Sequence, residues 1–311
     1  MSLSGKTFDV LGLGCATVDD VLYVPAHPER EAKIPVRRRL RRFGGLTGAA
    51  LVAATRLGAR CAYAGQLGLD ALSTSVRENF LAEGVDVSRA PRFANARVIY
   101  STVIVAEDDG SRCILFDRNG EIGAHPDLPD TDFIKACAVL MVDHYGLTGA
   151  LRAARIARAA KIAVLADFEN NRGQGFDELL GLVDHLILSS AFACRLTSQS
   201  DAAKAALALW RPDRAAVVVT CGAEGCWSVD PQSGGAVHHP AFTVKAVDTT
   251  GCGDVFHGAY AAGLARGDPL AERIRFSSAA AALRARDSDS PRRAQVEEFL
   301  AGQSGYFTTL P

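Results

Sequence analysis

From residue 136 onward the chain alternates short apolar runs with longer stretches of helical spacing. The runs 139–142, 162–166, 185–188 and 215–220 are apolar at almost every position, whereas 150–160 and 176–183 repeat apolar residues three and four apart. Strand-sized runs without polar alternation predict strands buried on both faces, and helices between them predict a parallel sheet covered on each side. The first third adds a buried strand over 8–14 (FDVLGLG), a helix from about 46 to 57 opened by glycines, a strand over 60–65 and an amphipathic helix over 71–83. A hairpin over 98–116 turns at Glu107-Asp108-Asp109-Gly110, and helices over 270–284 and 294–300 end the pattern.

One stretch, AVDTTGCGDVFHGAYAAGLA at 246–265, carries an acid directly behind two closely spaced glycines. Asp248, Thr249 and Thr250 supply turn chemistry, and Val255, Ala259 and Ala262 have helical spacing, so a helix is predicted to start near Gly251. The first amides of a helix have no intrahelical partner and the dipole adds positive potential, which favours an anion there. Gly251 and Gly253 let that anion approach the backbone. Asp254 falls in the first turn, where it either complements the dipole or takes a proton from a hydroxyl attacking a phosphate.

A chain of 311 residues with 48% hydrophobic content can fill one large α/β domain or two smaller ones. Lys plus Arg (34) balance Asp plus Glu (35), leaving a net charge of −1 that argues against nucleic acid or an anionic membrane as partner. Eight scattered cysteines without a C-x-x-C pair read as reduced core residues, which predicts a cytoplasmic protein. The apolar run 8–18 is broken by Gly12 and Gly14 and lacks a basic leader, so neither a signal peptide nor a membrane span is expected. Gly12-x-Gly14 also lacks the third glycine of a dinucleotide fingerprint, and no G-x-x-x-x-G-K-[ST] loop occurs. The basic run 32–43 (AKIPVRRRLRRF) is either a charge-guarded edge or the place where Lys33 or an arginine meets an anionic substituent. Asp143 and Asp167 end predicted parallel strands, which makes them loop caps or groups that face substrate or metal-bound water.

The run Val-Asp-Thr-Thr-Gly-Cys-Gly-Asp-Val-Phe-His-Gly-Ala at 247–259 resembles the C-terminal signature of the ribokinase-like (PfkB) carbohydrate kinases, usually Asp-Thr-x-Gly-Ala-Gly-Asp. Gly44-Gly45-Leu46-Thr47-Gly48-Ala49-Ala50, closed by Arg56-Leu57-Gly58, resembles their N-terminal signature, and Thr220-Cys221-Gly222-Ala223-Glu224-Gly225 their nucleotide turn. The resemblance implies a three-layer α/β sandwich around a mostly parallel sheet, one ribokinase-like domain over 1–311. Lid strands from about 19–43 and 97–117 are inserted into it; since a few strands cannot bury both faces alone, a homodimer through the lid is expected. It implies Gly251, Cys252 and Gly253 as an anion hole, Asp254 as base, and Asp19 with Gly44, Gly45 and the candidates Lys33 and Asp143 around the sugar. ATP would lie along Ser189, Thr220, Gly222, Gly225, Thr249, Gly251 and Gly253, with Mg²⁺ on its phosphates and no dedicated metal ligands.

Ala49, Phe192 and Cys252 depart from the asparagine, glutamate and alanine usual in the family, and the acidic segment 287–291 is not expected to bind a monovalent cation. His239-Pro240-Ala241-Phe242 is similar to the 6-deoxy-6-sulfofructose kinase branch, with Tyr145 where an arginine is expected. The implied reaction is ATP-dependent phosphorylation of a hydroxymethyl group of a sugar or sugar-like substrate. A nucleoside kinase and a catalytically weak sugar-binding regulator are the alternatives.

Overall fold

Neighbouring residues of the central strands serve different cores. Leu140, Val142, Leu186, Leu188, Val217 and Val219 pack on one face of the main sheet, while Val139, Met141, Ile187 and Val218 pack on the other. This period of two with apolar residues on both faces is what buried parallel strands require. The computed structural model describes residues 5–303, within which the expected domain boundaries 1 and 311 do not fall. The strands are β1 (Phe8–Leu13), β2 (Thr17–Val24), β3 (Arg38–Gly44), β4 (Cys61–Tyr63), β5 (Ile99–Ala106), β6 (Arg112–Asp117), β7 (Cys137–Asp143), β8 (Ala163–Asp167), β9 (His185–Ser189), β10 (Ala216–Thr220), β11 (Cys226–Val229) and β12 (Val237–His239).

The main sheet has the order β12-β11-β10-β9-β8-β7-β1-β4, parallel from β10 through β4 and antiparallel at the β11–β12 edge. A separate sheet, β3-β2-β5-β6, pairs β2 with β5 in parallel and both outer strands antiparallel. The fold is therefore ribokinase-like α/β, a mostly parallel sheet between helices with a second small sheet. Among the described residues, no helix is long and apolar enough to cross a membrane.

The extended reading of 32–43 holds only from Arg38. Residues 32–37 are irregular and exposed, because Pro35 has no N–H for a ladder and Arg37 is the first to donate to Tyr23 O, at 2.9 Å.

Two helices set the geometry that follows, Leu46–Arg56 and Cys252–Arg266. They meet through small residues: a Cβ on Gly258 would lie 2.9 Å from Ala53 Cβ and 3.0 Å from Ala54 N, and closer still to the Ala50 carbonyl oxygen. Only a glycine allows that approach, and it sets the starts of both helices side by side. Gly258→Val is expected to destabilise the protein by about 1–3 kcal/mol or more, the cost of overpacking a core contact. Urea unfolding of the two proteins measures it, and equal midpoints would show that the helices can separate freely.

Candidate active site

Gly251 caps the helix Cys252–Arg266 with φ 77°, a left-handed conformation natural to glycine. The segment entering it is pinned, since Val247 N and Asp248 N both donate to Ala285 O, at 2.8 and 3.1 Å. Thr250 N donates to Asp248 Oδ1 at 2.9 Å, and Cys252 N reaches Thr249 O at 3.3 Å. The amides of Gly253 and Asp254 have no hydrogen-bond partner among the described residues. A Cβ on Gly253 would meet nothing within 4 Å, so the way to these amides is open.

A cleft of about 650 Å³ runs from this turn to the small sheet, lined among others by Asp19, Gly44, Gly45, Gly251, Asp254 and Arg284. Asp19 projects from β2 and accepts from Thr17 Oγ1 at 3.2 Å, and burial raises its carboxyl. Gly44 is bare because a Cβ there would lie 2.8 Å from Thr17 Oγ1 and 3.1 Å from Asp19 Oδ2. Gly45, with φ 94°, starts the helix Leu46–Arg56 and would press a Cβ to 2.7 Å from Ala16 Cα.

Asp254 is half-buried at the cleft wall. Burial first, then Asp167, push its carboxyl up to about 8; His257 opposes them, and Glu169 and Asp19 add to the rise. His257 sits one turn on, with Nδ1 2.8 Å from Gly253 O, Nε2 3.1 Å from Ile187 O and Nδ1 3.4 Å from Asp167 Oδ2. It ties the first turn of the helix to the middle of β9. Burial lowers its pKa, opposed by the carbonyls of Gly253 and Ile187.

Asp248 gathers three arginines. Arg42 Nη1 of β3 lies 2.5 Å from Oδ2, Arg112 Nη1 of β6 3.6 Å from Oδ1, and Arg284 Nη2 3.7 Å from Oδ2. Burial alone would raise the Asp248 carboxyl, but the Thr250 amide and Arg42 outweigh it and hold it at about 2. Arg112 also donates to the Thr250 hydroxyl. Both outer strands of the small sheet are thereby clasped to the glycine turn. None of these arginines, nor His257, was singled out for this role by the sequence pattern.

The remaining candidates divide. Asp143 is corrected: it is fully buried, and its carboxylate accepts from Cys15 N (2.7 Å), Thr47 Oγ1 (2.8 Å) and Tyr145 N (2.8 Å). It ties three segments together and is not among the residues that line the cleft. Lys33 is corrected too, being exposed ahead of β3 and outside the cleft lining, where Arg38, Arg41 and Arg42 stand instead.

Ser189 caps the helix Ser190–Thr197 by accepting from Phe192 N at 3.3 Å, and pairs in register with Thr220 at the carboxyl edge of the sheet. Gly222 and Gly225 follow in a short turn, with open space over Gly222. Phe192 is buried in the core, so its position offers no ligand. Thr249 is exposed beside Arg112, and burial raises the Cys252 thiol to about 11 against the pull of Arg284. Among the described residues, no group of three or more His, Cys, Asp or Glu is placed to hold a metal ion.

Residues 9–291 match the family described as pfkB family carbohydrate kinase. The ribokinase of Haemophilus influenzae is 27% identical over 311 residues, covering 95% of this chain and 98% of the relative. Fructokinase-1 of Zea mays is 29% identical over 271 residues, covering 77% and 81%. A solved Agrobacterium tumefaciens protein provisionally assigned as a ribokinase superposes with a TM-score of 0.87 at 26% identity, over 96% and 99% of the two chains. Arabidopsis thaliana ribokinase, solved with ribose and ATP, superposes with a TM-score of 0.79 at 21% identity, over 94% and 99%.

The high carboxyl of Asp254 has a measurable sign. Between the ordinary value of 3.8 and about 8 the folded chain keeps a proton that the unfolded chain releases, so this group costs stability progressively as pH rises. Asp254→Asn is expected to raise Tm at pH 8 and leave it nearly unchanged at pH 4. Equal differences at both pH values would contradict the raised carboxyl.

Proposed function

This chain belongs to the pfkB family of carbohydrate kinases, and from that premise we propose that it moves the terminal phosphoryl group of ATP to a hydroxymethyl group of a sugar or sugar-like substrate. The observation that carries the reading is the pair of unpartnered amides, Gly253 and Asp254, beside the Asp254 carboxyl in a cleft shared with Asp19. Those amides stabilise negative charge on the moving group, a role in which one donor is worth ~3 kcal/mol. The Asp254 carboxylate accepts the hydroxyl proton, and its raised proton affinity suits a base working near neutral pH. Asp19 accepts from the sugar hydroxyls and fixes their orientation.

ATP is the donor that fits the ribose- and ATP-bound ribokinase of the same fold. Thr220, Gly222, Gly225 and Ser189 then line the nucleotide side, with Thr249, Gly251 and Gly253 at the phosphates. Mg²⁺ would come with the nucleotide and would neutralise phosphate charge, as suits an ion that keeps much of its water and needs few protein ligands. Eight unpaired cysteines suit a reducing compartment such as the cytoplasm.

The open edge of the small sheet supports a homodimer. On β6, Ile114, Leu115 and Phe116 are 57%, 57% and 60% exposed, an apolar row on an edge strand that a second copy would cover. Sedimentation is expected to give a dimer at micromolar concentration that Leu115→Glu converts to monomer. A monomeric wild type would reject the dimer.

ATP consumption across a panel of ketoses, aldoses and nucleosides is expected to show turnover with a sugar hydroxymethyl group. Asp254→Asn is expected to lower kcat by ~10²–10⁴-fold or more while ATP and sugar affinities stay within a few fold. Turnover near the wild-type rate in that variant would remove Asp254 as base, and nucleosides as the sole acceptors would favour the nucleoside kinase.

A further inference from the structure

Helix Leu270–Asp287 sends Arg284 from its last turn into the same cleft. The residue is 7% exposed, its Nη2 is 3.7 Å from Asp248 Oδ2, beyond hydrogen-bond reach, and its Nη1 is buried with no partner. Asp248 is already held by Arg42 at 2.5 Å, so one carboxylate serves three guanidinium groups and positive charge is left over beside the glycine turn. The position above Gly251 fixes where that charge acts. A Cβ there would lie 3.7 Å from Arg284 Nε, 3.8 Å from Arg284 Nη2 and 3.7 Å from Asp254 Oδ2. Guanidinium and carboxyl thus flank one small volume at the helix start, from opposite chemistries. A buried, charged N–H without an acceptor is disfavoured until an acceptor arrives.

Resting on the kinase reading above, we infer that Arg284 is a further catalytic residue, whose free N–H groups contact the oxygens of the phosphoryl group in transit. The acceptor oxygen forms its bond to phosphorus as the bond from phosphorus to the ADP oxygen breaks. The hydroxyl proton passes to Asp254, and Arg284 keeps its protons throughout. Charge spread over the equatorial oxygens is met on one side by the amides of Gly253 and Asp254 and on the other by a planar fork of donors. The rival role, a counter-ion that only steadies Asp248, predicts a stability effect without any preference for a phosphoryl-like anion.

A readout that needs no sugar acceptor separates the two. Calorimetry with ADP alone and with ADP plus beryllium fluoride, magnesium present throughout, measures how much the phosphoryl mimic tightens binding. Arg284→Met is expected to lose about tenfold or more of that tightening while affinity for ADP alone stays within about threefold, and Arg284→Lys to lose less. Arg284→Gln serves as a second uncharged variant if Arg284→Met does not fold. Tightening retained by a folded uncharged variant would overturn the inference, whichever sugar the enzyme accepts. The base assignment stands or falls separately, because Asp254→Asn is read by turnover and is expected to leave the fluoride effect in place.

Discussion

Everything at the cleft depends on how closely two helices can approach. The contact of Gly258 with the backbone of Ala50 and Ala54 removes a side-chain layer between the helices Leu46–Arg56 and Cys252–Arg266. Their starting turns, at Gly45 and Gly251, consequently open into one space. Each turn is itself a left-handed glycine, and Gly45 is wedged against Ala16 at the junction of the two sheets. The proposed sugar-orienting carboxylate and the proposed base therefore share a cleft through backbone packing.

Charge around the cleft is balanced in two separate groups. Burial raises the carboxyls of Asp254, Asp167 and Glu169, and neighbouring carboxylates add to the rise at Asp254 and Asp167. Asp248, only six residues earlier in sequence, stands among guanidinium groups and stays ionised. A glycine turn lies between them. Raised carboxyls on one side and guanidinium groups on the other suit the proposed reaction, which draws a proton one way and stabilises a multiply charged anion the other way.

Much of this was legible from residue order alone. Apolar runs without alternation gave the buried strands, and the spacing of Gly251, Gly253 and Asp254 gave the helix start with its acid, because both depend on neighbours in sequence. Asp143 misled because the end of a strand has two directions: its carboxylate turns down to Cys15 N and Thr47 rather than out to the cleft. Lys33 misled because Pro35 interrupts the ladder before the strand begins. Arg284 gave no local signal, lying in an alanine-rich helix thirty residues beyond the turn, and only the anchoring of Val247 and Asp248 on Ala285 brings it there.

Cys252 sits between the two glycines of the turn but is not among the residues that line the cleft. Thiolate, not thiol, attacks an electrophile, and a value of about 11 leaves almost none at neutral pH. Burial therefore keeps this sulfur in its thiol form at the start of the helix.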